Sequence, residues 1–411
     1  MKRIAIFCDG TWLRNDSEHP SNVWRLAQAI VAKAPDGVSQ QGFYFPGVGV
    51  GRGSDELTKQ FDKWTGGAFG WGLDLNIETA YRKLMEVYEP NDEVYVFGFS
   101  RGAYTARSLV GLIRRAGLMS PKHADRVSEA MDLYRRRITD DPGRDEKGRK
   151  RSVPDRPEFL KWRATYAPLS PTSAYEIDWR AENGLFVPDR LVQLAYLGVW
   201  DTVGALGVPG YFTTAPLFNR RYNFHDTDLS SMVRRARHAV AVDERRLSFA
   251  PTLWTNLAEL NRKSPDLRTR GLSADADLSG ALADQLPYQQ AWFPGDHGAV
   301  GGGNATLGLS SYALAWIAAG AAKAGLALDP PFMSEVSRSR NIRDPLLTRG
   351  TAGFGRLWQL ADRDGPDDPT VVSEAARERI ATFADYDPPT LSKVMQAFRA
   401  PKGLRPAPPS A

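Results

Sequence analysis

The sequence predicts an α/β protein with a mostly parallel sheet flanked by helices, and three observations carry that prediction. Strand-like and helix-like segments alternate through the N-terminal third of the 411 residues. Several strand-like segments are continuous apolar runs, as expected where both faces of a strand are covered. A tight glycine–serine–glycine turn joins one of these strands directly to a helix. Such alternation implies βαβ units, whose crossover helices force neighbouring strands to run parallel. With 42% hydrophobic and 25% charged residues, the chain has ample apolar material for one core carrying insertions.

Arg3 to Cys8 reads as the first buried strand. Trp24 to Lys33 reads as a helix, with Val23, Leu26, Ala27 and Ile30 on one face. Gly42 to Phe45 is a short second strand, followed by a glycine-rich loop from Gly47 to Gly53. Asp74 to Tyr88 has helical spacing and stops at Pro90. Glu93 to Phe97 is β-branched and aromatic, and Ala103 to Arg115 is helical. The pattern breaks from Met119 to about Pro188, a stretch read as a lid-like insertion over the ligand-binding edge of the sheet. Strands resume at Leu191 to Trp200, His238 to Val242 and Tyr288 to Phe293, and a helix follows from Leu309 to Ala324. The expected organisation is a catalytic domain over 1–330 that contains the insertion 119–188. A C-terminal helical extension over 331–400 and a disordered, proline-rich tail over 401–411 complete it.

Composition narrows the function classes. The single cysteine, Cys8, excludes an internal disulfide and a cysteine-based metal site. The apolar run after Met1 is too short for a signal-peptide core, and the Ala/Gly-rich stretch 313–327 carries Lys323 and falls short of a membrane span. A protein cytoplasmic as synthesised is expected, with signal-independent secretion left open. The net charge of +5 comes from 53 basic against 48 acidic residues. Residues 133–163 alone hold eleven Lys/Arg against six Asp/Glu, so the excess is local. That distribution argues against a nucleic-acid groove. It leaves two readings for the segment, a solvated insertion or a peripheral contact with an anionic membrane.

Gly98-Phe99-Ser100-Arg101-Gly102 fits the G-x-S-x-G nucleophile elbow and lies in the required context, with a strand running in and a helix running out. The elbow glycines Gly98 and Gly102 keep side chains from colliding with the neighbouring strand and helix. A serine hydroxyl needs a base, itself oriented by an acid. Of the five histidines, His297 sits on a glycine loop after a strand, whereas His225 lacks a preceding strand and His238 opens one. Asp201 follows a strand end and is the favoured acid; Asp243, also after a strand, is the alternative, with a structural ion pair to Arg245 or Arg246 as its competing role. The developing oxyanion needs preorganised donors. The N–H of Arg101 and that of Gly10 or Thr11 are the candidates, while the Arg101 side chain is read as meeting an anionic substrate group or pairing with Asp9. This chemistry calls for no metal or organic cofactor.

Phe7 to Trp12, Gly98 to Arg107, Leu197 to Val203, His238 to Arg246 and Trp292 to Gly303 together resemble the uncharacterised α/β-hydrolase family that includes the first class of type VI secretion lipase effectors. The resemblance covers roughly residues 1–320. It implies an α/β-hydrolase fold, the triad Ser100, Asp201 and His297, and phospholipase activity on membrane glycerophospholipids in the secreted members. A soluble-ester hydrolase or thioesterase is the rival within enzymes, and a catalytically silent binding module the rival outside them. An aspartate-nucleophile phosphatase is disfavoured because Phe7 stands where its nucleophile would be. A phosphate cradle at Gly47 to Gly53 lacks the required lysine and hydroxyl.

Overall fold

The structure, a computed structural model, describes residues 1–11, 13–47, 66–136, 143–146, 152–204, 228–265, 285–346 and 360–399. Six strands form one parallel sheet: β1 (Arg3–Cys8), β2 (Gln40–Phe45), β3 (Glu93–Phe99), β4 (Gln193–Trp200), β5 (Val233–Ala241) and β6 (Tyr288–Phe293). Their order is β2-β1-β3-β4-β5-β6, and every neighbouring pair is parallel. The mostly parallel α/β sheet expected from the alternation is therefore present, as the α/β-hydrolase fold implied by the resemblance also requires.

Period-two alternation divides the strands between two cores. Ile4, Ile6, Cys8, Val94 and Val96 face one side, packed against α2 (Gly66–Val87) and α3 (Arg101–Ala116). Ala5, Phe7, Tyr95 and Phe97 face the other, toward α1 (Asn22–Gln28) and the later helix Gly308–Lys323. The connections leaving β1 and β3 thus run to opposite faces. The chain order reverses between these two strands, a topological switch point of the kind at which ligands collect in open α/β sheets.

Several boundaries differ from the sequence reading. The helix expected over 24–33 is Asn22–Gln28, because Ile30 and Lys33 leave it for bridges to Leu328 and Ser39. The strand expected to open at His238 begins at Val233. Its arginines hid it: Arg237 folds back over Trp316 at 4.7 Å, so a strand position covered by a helix is filled by an amphipathic arm. The second helix begins at Gly66, eight residues ahead of expectation, in a glycine-rich stretch that read as loop. Residues 48–53 of the glycine loop and the tail 401–411 lie outside the described residues.

Within the insertion lie α4 (Val127–Arg135), α5 (Pro157–Tyr166) and α6 (Ala174–Glu182). Their contacts run along α3 and to α2. Arg115 donates to the Tyr134 carbonyl at 2.7 Å, Arg163 donates to the Arg115 carbonyl at 2.9 Å, and Leu118 N–H reaches Ser170 Oγ at 2.8 Å. All three contacts fall near the C-terminal end of α3, about 20 Å along that helix from Ser100. The described insertion helices therefore add a layer on the outer side of α3. Arg163 is fully buried on Glu176 at 2.7 Å, and Arg135 pairs with Asp74 at 2.6 Å. These two members of the basic run serve internal pairing rather than a surface field.

Further along are α7 (Leu257–Lys263), α8 (His297–Gly301), α9 (Gly308–Lys323), α10 (Pro330–Arg338) and α11 (Glu374–Thr382). The segment 360–399 closes the outer side of the sheet. Val372, Ala376, Leu391, Val394 and Met395 pack with Val240, Val242 and Trp292 in a third core. Ser373 N–H donates to the Trp292 carbonyl at 2.9 Å, covering edge strand β6. This packing makes the C-terminal segment one cooperative unit with the sheet. Leu391→Ala should lower global stability by about 2–5 kcal/mol. In chemical denaturation the main transition should move as a whole; a main transition left in place beside a new, earlier one would show that the segment unfolds separately.

Candidate active site

The elbow is built by strand register. Cys8 lies opposite Gly98, and Phe99 opposite Trp200. The next residue, Ser100, leaves the strand at φ 57°, ψ −123°, a strained conformation for a residue with a side chain. Its N–H donates to the Trp200 carbonyl at 3.0 Å, and its carbonyl accepts from Ala103 at 3.1 Å and Val203 at 3.4 Å. A Cβ on Gly102 would come within 2.2 Å of the Cys8 carbonyl oxygen, and one on Gly98 within 2.4 Å of the Gly102 carbonyl oxygen. Both glycines are thus required by close backbone approach, as the motif suggested. Arg101 is the first residue of α3, where backbone N–H groups lack intrahelical partners.

Asp201 follows β4 as Ser100 follows β3, and it too has positive φ, 35°. It is fully buried. Oδ2 lies 2.6 Å from His297 Nδ1 and accepts from Arg363 at 2.9 Å. Oδ1 accepts from Ala241 N–H at 2.9 Å and from Arg363 at 2.7 Å. Burial opposes ionisation here. The Arg363 charge, with hydrogen bonds from His297 and Arg363, overrides it and holds the carboxyl far below the usual range. A carboxylate against Nδ1 places the imidazole proton on that nitrogen and leaves Nε2 as the acceptor.

His297 opens α8, whose N-cap is Asp296. The preceding loop is clamped to Asp243, which accepts from Gly295 N–H at 2.6 Å and from the Tyr386 hydroxyl at 2.8 Å. Asp243 therefore fixes the histidine loop and does not touch the ring. It pairs with neither nearby arginine, since Arg245 bonds Asp362 and Arg246 bonds Glu244. The imidazole is also held between Phe99 and Phe249, at ring-centroid distances of 4.5 and 4.8 Å. His238 is buried within β5. It accepts from Thr202 N–H and contacts Gln290, and burial pulls it down to about 3, so it stays neutral. His225 lies outside the described residues.

The loop after β1 approaches the same edge. Asp9 accepts from Ser21 at 2.7 Å, Tyr44 at 2.6 Å and Gly10 N–H at 2.7 Å, so the pairing with Arg101 considered from sequence does not form. Thr11 Oγ1 is buried without a hydrogen-bond partner among the described residues. Burial brings the Arg101 guanidinium down to about 10. Among the described residues, no three His, Cys, Asp or Glu side chains are grouped so as to hold a metal ion. No described helix is long and apolar enough to cross a membrane.

Sequence reasoning missed Arg363, Glu244 and Phe249. Arg363 lies in the polar stretch Asp362-Arg363-Asp364, which has no periodicity or motif to single it out. Glu244, which accepts from His297 N–H at 3.3 Å, lies in the charged run Asp243-Glu244-Arg245-Arg246, where no motif singles it out.

Fold and site together define an α/β-hydrolase-like protein with a serine at a strained strand–helix elbow, beside a buried Asp–His pair. The chain belongs to the family described as "T6SS, Phospholipase effector Tle1-like, catalytic domain", which matches residues 2–320. An uncharacterized protein of Saccharomyces cerevisiae is 28% identical over 262 residues, covering 62% of this chain and 33% of its own length. Two solved structures are similar. An uncharacterized protein from Pseudomonas aeruginosa has 18% identity and a TM-score of 0.39, with coverage of 82% of this chain and 48% of that one. The Tle1 effector bound to the VgrG spike of the type 6 secretion system has 17% identity and a TM-score of 0.34, with coverage of 74% and 51%. The chain thus spans about a third of the length of the yeast relative and about half of each solved structure.

Asp9 yields a test of the loop beside the elbow. Burial, partly offset by the hydrogen bonds from Ser21, Tyr44 and Gly10, raises its carboxyl from the ordinary 3.8 to about 6. The folded state therefore holds the Asp9 proton more tightly than the unfolded chain does. That stabilisation is complete below about pH 4 and is lost as pH rises through 6. Between pH 4 and 7 the native protein should lose on the order of 2 kcal/mol relative to Asp9→Asn in denaturant titrations. A difference constant across that window would show that Asp9 ionises normally.

Proposed function

We propose that this protein is a serine ester hydrolase that cleaves acyl chains from glycerophospholipids through an acyl-enzyme on Ser100. The observation that carries the reading is the strained Ser100 at the end of β3, in register with an Asp201 whose carboxylate bonds His297 at 2.6 Å. In this reading His297 Nε2 takes the Ser100 proton as Oγ attacks the ester carbonyl. Asp201 holds the imidazole tautomer and stabilises the imidazolium. The proton then passes to the departing alcohol, and a water activated by the same histidine releases the fatty acid.

The carbonyl oxygen becomes an anion in the tetrahedral intermediate and needs donors already in place. The Arg101 N–H at the start of α3 is one, reinforced by the positive end of that helix. Of the pair after β1, Gly10 already donates to Asp9, which favours Thr11 as the second donor. Phospholipid as the substrate class is supported by the family, whose description names phospholipase effectors.

Ser100→Ala and His297→Ala should each lower kcat by about three orders of magnitude or more. Asp201→Asn should cost about as much, whereas Asp243→Asn should act mainly on stability. The decisive experiment digests mixed phospholipid vesicles with native protein and Ser100→Ala and reads the products by mass spectrometry. Free fatty acid and lysophospholipid from the native protein alone is the expected result. A native serine that reacts with a fluorophosphonate while no lipid is cut would redirect the activity to soluble esters or thioesters. Full lipid cleavage by Ser100→Ala would overturn the mechanism.

A further inference from the structure

Arg363 lies beyond the residues matched to the family's catalytic domain, yet its guanidinium reaches the centre of the site. Its segment arrives alongside Arg246, through a bridge from Leu360 and a 2.8 Å hydrogen bond from Ala361 N–H to the Arg245 carbonyl. From there Nη1 donates to Asp201 Oδ1 at 2.7 Å and to the Ala241 carbonyl at 2.8 Å. Nη2 donates to Asp201 Oδ2 at 2.9 Å and to the Phe249 carbonyl at 2.6 Å. The side chain is 4% exposed. With Ala241 N–H on Oδ1 and His297 on Oδ2, each carboxylate oxygen has two partners.

A two-pronged arginine fixes the plane of a carboxylate, where lysine would hold it at a single point. Here that plane decides whether Oδ2 faces His297 Nδ1. The same cation offsets the negative charge of the buried carboxylate. Two other groups near the pair have partners of their own. Glu244, on the backbone side of His297, is bonded by Arg246 at 2.6 Å. His238, on β5 beneath Asp201, is neutral and has Arg107 of α3 nearby.

We propose that Arg363 is a positioning residue of the hydrolytic site, which fixes the plane of the Asp201 carboxylate against His297 and balances its charge. The C-terminal segment on β6 thereby completes the machinery that the matched domain begins. This inference rests on the serine-hydrolase reading. Its sign is definite. Loss of the cation leaves a net negative Asp201–His297 pair, proton uptake becomes easier, and the acidic limb of activity moves to higher pH.

The test measures the rate at which a fluorophosphonate labels Ser100 in the full-length chain between pH 5 and 9, a readout independent of the natural substrate. Native protein, Arg363→Met, Arg363→Lys and Ser100→Ala are compared, with folding checked by circular dichroism. Arg363→Met should show an acidic limb about one pH unit higher. On the acidic side of both limbs its labelling, relative to its own plateau, would then fall up to about tenfold below the native value. Arg363→Lys keeps the charge and should retain the native limb with a plateau several-fold lower, because one ammonium cannot fix both oxygens. A folded Arg363→Met with a native limb overturns the proposal. If that variant does not fold, an Arg363→Lys protein native in both limb and plateau overturns it. Absence of labelling at native Ser100 would instead remove the hydrolase reading beneath it.

Discussion

A carboxylate with no access to water constrains most of what surrounds it. Asp201 is fully buried and ionised, and an isolated charge in that position would cost many kcal/mol. The fold meets this with donors from three separate places: a backbone N–H at the end of β5, the imidazole at the start of α8, and an arginine from the C-terminal segment. Removing one partner from such a buried arrangement typically costs about 3–5 kcal/mol. The packing of residues 360–399 on β6 is therefore tied to the electrostatics of the site as well as to the covering of an edge strand.

The same edge holds two residues in unusual backbone geometry, one strand apart. Ser100 and Asp201 both have positive φ without being glycine. Hydrogen bonds lock the conformation, with Ser100 N–H on the Trp200 carbonyl and Asp201 N–H on the Ala239 carbonyl at 2.7 Å. Strain of this kind persists only where neighbouring structure over-determines it. Three adjacent parallel strands supply that determination. The chain also reverses its lateral order between β1 and β3 at this edge.

Two acidic positions that look alike in sequence take different tasks. Asp201 and Asp243 each follow an apolar strand, and the parallel sheet brings both to its carboxyl edge. Asp201 meets the imidazole, while Asp243 holds the backbone of the loop that presents it, together with Tyr386. The histidine is thus set through its ring by one acid and through its loop by the other. The two phenylalanine rings on either side limit its swing, which a glycine-rich loop alone would allow.

What the sequence determined by itself was local in origin. Continuous apolar runs identified β1, β3 and β4 because strands covered on both faces have no polar side to show. The spacing Gly98-Phe99-Ser100-Arg101-Gly102 identified the elbow because steric exclusion at two positions leaves a mark that survives without any tertiary information. Residues following strand ends gave the short list of Asp201, Asp243 and His297, since parallel strands bring their carboxyl ends to one edge. Only the tertiary structure brought Asp201 rather than Asp243 onto the imidazole, packed the described insertion helices on α3, and delivered Arg363 to Asp201. Each of these depends on contacts between residues far apart in the chain. Arg363 acts across 162 positions through charge and geometry, and a single arginine among acids carries no periodicity from which that partnership could be read.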